Sequence, residues 1–313
     1  MWRVDGFQML LAIALDLLLG DPRGWPHIAR LAGRLSVIYE KLLTARLRRS
    51  VLLGVIFWLL VTGTIVGMYA VAWGICARVN PVAAWIFQAL IIYQAIAAMD
   101  LARHVRAVIA PLAAGDLVAA RERLAWIVGR DTEKLDEAGI SRAAIESVAE
   151  STTDAVLAPL FWSLVAGAPG ALIYRTANTL DSLVGHRTEV YEKFGKASAR
   201  IDDVLNWLPA RICGAGFCVF SSAVRWSTIR REVGAHASPN AGWSEAGMAY
   251  ALGVRLGGAN NYDGQCVTGP VFNAPGRAAS PADIVASLTW MWRLAGACAA
   301  AFVALLFALH LFC

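Results

Sequence analysis

The chain has 313 residues, of which 58% are hydrophobic and only 16% charged, with a formal net charge of +5. Soluble domains carry about a quarter charged residues, so this composition argues against one and for a polytopic integral membrane protein. No Pro/Ser-rich linker, repeat or low-complexity tract divides it, so residues 1–313 read as a single membrane domain. The basic residues form no recognisable nucleic-acid motif, so the positive charge does not suggest a nucleic-acid partner.

In chain order, Phe7 to Leu19 is apolar except for Asp16 and lacks the small-residue cleavage site of a signal peptide. It reads as a retained first helix. Residues 20–50 are rich in Lys and Arg (Arg30, Arg34, Lys41, Arg46, Arg48 and Arg49 among them). Val51 to Ala77 exceeds the ~20 apolar residues that a crossing helix needs, and its Gly63 and Gly67 make a GxxxG step suited to close helix packing. A short Arg78–Pro81 turn leads into a second span, Val82 to Met99, after which come Arg103, Arg106, Arg121, Arg123, Arg130, Lys134 and Arg142. Lys/Arg excess marks the cytoplasmic side, and both basic stretches share a side if the first three helices all cross. Several of the twelve Trp sit near the ends of apolar runs, where amphipathic rings favour the membrane interface.

Ala155–Tyr174 contains Pro159, Gly167, Pro169 and Gly170, and Val204–Val224 contains Pro209 and Arg211. Proline removes a backbone donor, and irregular backbone at membrane depth needs protein or a polar cavity around it. Both runs therefore read as broken, re-entrant or interfacial helices, and Ser287–Cys313 closes the chain with another span. The expected fold class is all-α: a polytopic helical membrane protein with broken or re-entrant helices and cytoplasmic polar segments.

The segment Ser141–Asp154 carries the clearest chemistry. Ser141 can cap a helix on which Arg142, Glu146, Glu150 and Asp154 recur every fourth residue as one stripe. Carboxylates so spaced repel and want a cation, either Arg142 or a divalent metal such as Mg²⁺. A solvated face is the competing reading; Asp154 running straight into an apolar broken segment weighs against it. Asn178 and Asp181, three apart, share a helix face, although both are also ordinary turn formers. Lys196, Arg200, Asp202 and Asp203 cluster ahead of Arg211, whose guanidinium needs an internal acid, Asp202 or Asp203, or an anionic substrate group. Ser238–Asn240 reads as a turn entering a short helix. Gly257-Gly258 and Tyr262-Asp-Gly264 read as an exposed flexible loop. The six cysteines form no CxxC pair, phosphate-loop, GxGxxG, HExxH and GxSxG motifs are missing, and lone histidines such as His27 and His186 read as ordinary polar residues.

These strings, taken in order, resemble the CobD/CbiB family of cobalamin-biosynthesis proteins, the adenosylcobinamide-phosphate synthases. The resemblance begins at Asp16-Leu-Leu-Leu-Gly-Asp-Pro22, His27 and Gly33. It continues through Gly129-Arg-Asp-Thr132, Ile145-Glu-Ser-Val-Ala-Glu150, Asp154 and Ala158-Pro-Leu-Phe161. It is densest at Tyr174-Arg175, Asn178-Thr-Leu-Asp-Ser182, Val184-Gly185, Phe194-Gly195 and Ala199-Arg-Ile-Asp-Asp203. It ends with Pro209-Ala-Arg211, Ser238-Pro-Asn-Ala-Gly242, Gly253-Val-Arg-Leu-Gly-Gly258 and Tyr262-Asp-Gly264. Ser151 and Ser244 depart from the pattern, standing where Asn and Pro are usual.

The resemblance implies an ATP-dependent acid–amine ligase that joins a carboxyl of adenosylcobyric acid to (R)-1-amino-2-propanol or its O-phosphate, with ATP as co-substrate and Mg²⁺ as cofactor. It implies a multi-pass protein of the cell (inner or plasma) membrane, in contact with lipid, with its active site facing the cytoplasm. Other corrinoid-pathway membrane enzymes or a second copy of the chain are the expected protein partners. Glu146, Glu150 and Asp154 are the candidate metal or general-base carboxylates, with Asp181 a further catalytic candidate. Asn178, Arg175, Lys196, Arg200, Arg211, Asn240 and Tyr262 are the candidate substrate-binding residues. A transporter and a non-catalytic regulatory relative on the same scaffold are the alternatives.

Overall fold

Helix ends follow from local capping chemistry in the computed structural model, which describes residues 4–22, 24–186, 188, 190–234 and 236–312. Asp5 caps α1 (Gly6–Leu19): its carboxylate accepts from the Gln8 N–H while the Gln8 side chain accepts from the Asp5 N–H, a reciprocal capping box. His27 caps α2 (Ile28–Thr44) through Nδ1, which accepts from the Ala29 N–H, so this histidine has a structural task. Ser50 caps α3 (Val51–Val79). Asn80 ends α3 and caps α4 (Pro81–Ala95), whose first residue is proline, where the missing N–H costs nothing.

After an extended Ile96 come α5 (Ala98–Ala113) and α6 (Leu117–Leu124). The second span, expected to reach Met99, is thus interrupted before it. Asp136, not Ser141, caps α7 (Glu137–Ser151); Ser141 lies a full turn inside and is buried. The chain then winds as a π-helix over Thr152–Leu157 before α8 (Ala158–Val184). Residues Ala166 and Gly167 leave helical geometry (Gly167 φ 64°) just before Pro169, so the expected break in this run is present. α9 (Lys196–Phe220) runs unbroken through Pro209, so the break expected in Val204–Val224 is not present there; α10 (Trp226–Val233), α11 (Ala241–Leu252) and α12 (Pro281–Phe312) follow.

One departure from an all-helical chain is an antiparallel hairpin, β1 (Leu256–Tyr262) with β2 (Gln265–Phe272), where the sequence reading expects a flexible loop. Asp263 and Gly264 turn it with φ of 49° and 77°, the two-residue Asp-Gly turn whose twist matches that of paired strands.

Four helical runs are long and apolar enough to cross a membrane: Val51–Val79, Pro81–Ala113, Glu137–Val184 and Pro281–Leu309. α3 shows why lipid is their solvent. Leu52, Leu59, Val71 and Ile75 each expose more than half their surface along it, an arrangement favourable only against hydrocarbon. The fold is that of an all-α polytopic membrane protein. α1, at 14 residues, rises only about 21 Å, short of a ~30 Å hydrocarbon core. The GxxxG step is not a packing site among the described residues, since a Cβ on Gly63 or Gly67 would meet nothing within 4 Å. The close approach falls at Gly54 instead, where a Cβ would lie 2.0 Å from the Phe194 carbonyl oxygen.

Contacts divide the chain into two compact units. One comprises residues 1–97, 158–206 and 299–313, and the other residues 98–157 and 207–298. In the first, α4 packs on α1, α3 and α8, and α2 on α3 and α8, around buried Met9, Phe57, Ile92, Tyr174 and Phe194. In the second, α7 packs on α5, α6, α11 and the hairpin, around Ile140, Ile145, Phe217, Met248 and Phe272.

Candidate functional site

The second unit is built around Glu146, only 4% exposed in the middle of α7. Its Oε2 lies 2.6 Å from Arg130 Nη1, its Oε1 accepts from the Gly257 N–H at 2.6 Å, and Arg142 Nη1 lies 3.8 Å from Oε1. The Arg142 guanidinium also donates to the carbonyl of Gly257, to that of Ala259 and to Asn260 Oδ1, which Arg130 shares. Gly257 is required for this closeness. Its φ is 78°, and a Cβ there would stand 2.0 Å from the Pro270 carbonyl oxygen. At the tip of the hairpin, Asp131 accepts from the N–H groups of Asp263 and Gly264 at 3.1 and 2.8 Å. The loop before α7 and the hairpin are therefore tied together by charge-assisted bonds at two levels.

Glu146, expected as a metal ligand, thus has both oxygens occupied by cations and an N–H. Among the described residues no three His, Cys, Asp or Glu side chains are placed to hold a metal ion. The expected Glu146–Glu150–Asp154 series does not form a three-carboxylate cage. The physical reason is the π turn over residues 152–157, which winds Asp154 away from the four-residue repeat. Glu150 is exposed and Asp154 partly so.

A further acid, not singled out as a site in the sequence, stands nearby. Glu245, on α11, has a side chain only 12% exposed, with Oε1 3.7 Å from His236 Nε2. Burial raises its pKa well above the ordinary carboxylate value. The Glu146 and Glu150 charges raise it further, and Arg130 opposes them. Nothing in the spacing around Glu245 distinguishes it; the one local signal is its place in the first turns of the short helix expected after Ser238–Asn240.

Arg211 is satisfied otherwise than expected. In place of Asp202 or Asp203 it donates to Asn240 Oδ1 at 3.0 Å and to the Trp207 and Pro239 carbonyls. Its guanidinium also lies over the Trp207 and Trp243 rings, 4.4 and 5.1 Å from their centroids. Asn240 is buried, and Tyr262 is exposed at the hairpin tip.

The remaining candidates belong to the first unit. Asn178 Nδ2 donates to Asp202 Oδ1 at 3.4 Å, Asn206 Nδ2 to Asp202 Oδ2 at 3.0 Å, and Tyr174 OH to Asn206 Oδ1 at 2.9 Å. Burial pushes Asp202 up to about 7, and the Asp181 charge adds to the shift, while its two amide donors oppose it. Asn178 and Asp181 therefore do share an acidic neighbourhood, one centred on Asp202. Arg175 is partly buried on α8, while Lys196 and Arg200 are exposed one turn apart at the start of α9.

These features define a polytopic helical membrane protein with polar sites lined by acids and arginines. Comparison with known sequences goes further. The CobD/Cbib protein family model matches residues 9–291, and the chain belongs to the CobD/CbiB family. It is 40% identical over 305 residues to a protein of Klebsiella pneumoniae named cobalamin biosynthesis protein CobD, covering 94% of this chain and 95% of that one. A protein of Salmonella choleraesuis named cobalamin biosynthesis protein CbiB is 40% identical over 309 residues, and a CobD of Citrobacter koseri 39% over 306, each with the same coverage. No solved structure matches the chain.

Proposed function

We propose that this protein acts in cobalamin biosynthesis as an ATP-dependent ligase, joining a carboxyl of adenosylcobyric acid to the amine of (R)-1-amino-2-propanol or its O-phosphate at the cytoplasmic face of the cell membrane. Relatives named for cobalamin biosynthesis along almost the whole chain support the pathway. The observation that carries the reaction class is Glu245, an interior carboxyl beside His236 within electrostatic reach of Glu146 and Glu150.

An amine reaches the site as an ammonium ion and must lose a proton before it attacks. A carboxylate resists attack until one oxygen can leave. In the proposed reaction that oxygen departs with the terminal phosphoryl group of ATP as phosphate, leaving ADP. The C–N bond forms, and the proton from nitrogen passes to a base. Glu245, whose burial raises its proton affinity above that of an ordinary carboxylate, suits that base, with His236 taking the proton onward. Arg130 and Arg142, held by Glu146 and the hairpin, would face the negative charge that develops. Mg²⁺ supplies neutralisation of phosphate charge when bound with ATP, and it ordinarily takes only one or two carboxylates. Glu150 and Asp154, less buried than Glu146, are the carboxylates that would hold it. In the first unit, Lys196 and Arg200 make no side-chain ion pair among the described residues, which suits them to a corrinoid propionate or a phosphate. Arg175, Asn178 and Asp181 would orient the same ligand, and Asn240 and Arg211 would serve the other unit's site.

The test is rescue of a corrinoid-pathway null strain. Growth on cobyric acid should require this gene, and growth on cobinamide should not. Glu245→Gln should insert normally but fail to rescue. Uptake of corrinoid into vesicles without ATP consumption would replace the ligase reading with transport.

A further inference from the structure

Beside Arg142, the second unit has a cavity of about 430 Å³, within the range of small-molecule sites. Lys134, Arg142 and Arg255 line it, and its one acid is Asp136. That acid is already engaged, accepting from the Gly139 N–H at 2.8 Å as the cap of α7. Arg142 is held by the hairpin carbonyls and Glu146. The side chains of Lys134 and Arg255, both exposed, make no hydrogen bond or ion pair with any described residue. The contrast is Arg277, whose two nitrogens each lie 2.6 Å from the Asp283 carboxylate. A cavity with three cations and one committed acid attracts anions.

A second, smaller cavity of about 160 Å³ shares Lys134 and Leu135 with the first and adds Arg130, Asn260 and two acids: Asp131, whose oxygens accept from the hairpin-tip N–H groups, and exposed Glu133. The two cavities are neighbours, since Lys134 and Leu135 line both. Arg142 lines one, Arg130 lines the other, and each arginine touches Glu146. In the larger cavity a fixed guanidinium, a free ammonium and a free guanidinium are the donors that phosphate oxygens accept from.

We infer that the larger cavity is a phosphate-binding site for a small phosphorylated ligand, with Lys134, Arg142 and Arg255 as its cationic donors. The inference builds on the ligase reading, because it places the phosphate end of ATP or of a phosphorylated amino alcohol one arginine away from Glu146.

The experiment is calorimetric titration of the full chain in phosphatidylcholine nanodiscs with pyrophosphate, a non-hydrolysable ATP analogue and phosphoethanolamine. Pyrophosphate and at least one organic phosphate should bind. The double variant Lys134→Gln/Arg255→Gln should weaken both by roughly tenfold or more, with an unchanged melting temperature, since neither side chain has a partner to lose. Arg255→Lys should restore part of the loss. Equal affinity in the wild type and the double variant overturns the site. So does binding that vanishes in phosphatidylglycerol nanodiscs, which would assign the cations to lipid headgroups. The titration needs no turnover. A protein that binds through Lys134 and Arg255 but fails complementation loses only the ligase reading, whereas a complementing protein whose double variant binds normally loses only this site.

Discussion

At the scale of single residues, position on the helix and role come apart. The four-residue repeat marks Glu146, Glu150 and Asp154 as equivalent, yet the fold buries the first, exposes the second and rewinds the backbone at the third. Glu146→Gln should leave Arg130 and Arg142 short of a counter-charge while they remain only 13% and 20% exposed. Breaking a buried pair costs ~3–5 kcal/mol, and here, with partly solvated arginines, about 2–3 kcal/mol is expected. Asp154→Asn, at a carboxylate more exposed than Glu146, should instead abolish turnover at limiting Mg²⁺ with a smaller change in melting temperature. Thermal melts and single-turnover assays on both variants check the division. Equal stability loss in the two would return the stripe to a single role.

Asp202 gives a pH prediction whose sign can be worked out. Its carboxyl binds a proton more tightly folded, at about 7, than unfolded, near 4. Protonation therefore favours the folded state. The stability it contributes is lost as pH rises from about 4 to about 7 and is recovered on acidification. The wild-type melting temperature should fall between pH 5 and pH 8 through this group, and Asp202→Asn should flatten that slope. Glu245 is shifted in the same direction, so some slope should persist. Identical slopes in the two proteins would show that Asp202 keeps an ordinary carboxylate pKa in the folded chain.

At the scale of elements, the hairpin is the part that sequence reading misses. Its glycines and asparagines resemble loop composition, and β1 contains no β-branched residue to announce it. The Asp263-Gly264 turn is the one local signal. The pairing matters because it delivers Gly257 to Glu146 and Arg142. Gly257→Ala must separate the strands, since its Cβ would meet the Pro270 carbonyl. Gly264→Ala has open space and meets only an unfavourable φ, worth about 1–2 kcal/mol. The first should destabilise by more than the second. Combined with Glu146→Gln, it should also lose less than the sum of the two separate effects, because both break one network. Full additivity in that double-mutant cycle would separate the hairpin from the Glu146 site.

At the scale of the whole molecule, the Lys/Arg bias predicts that residues 20–50, 100–153, 175–203 and 236–281 share the cytoplasmic side. Single cysteines at Ser182 and Ala237, both exposed, should react with an impermeant maleimide only after the cells are opened. Labelling in intact cells would overturn this sidedness. Composition and the length of apolar runs were sufficient to define a polytopic helical chain, because burying backbone polar groups in hydrocarbon leaves helices as the available solution for such segments. Proline and glycine placement was sufficient to mark the break before Pro169, and the ordered motifs to indicate the family. Which acids matter was decided only by tertiary structure. Glu245 becomes unusual because packing strips its water and sets Glu146 and Glu150 beside it. Arg211 is satisfied by Asn240 and two indoles, and the cavity cations Lys134, Arg142 and Arg255 come from the loop before α7, from α7 and from the segment after α11. Spacing along one chain records neighbours on a helix. It carries no record of the desolvation and charge that distant segments impose on one another, and those are what set a carboxyl's proton affinity.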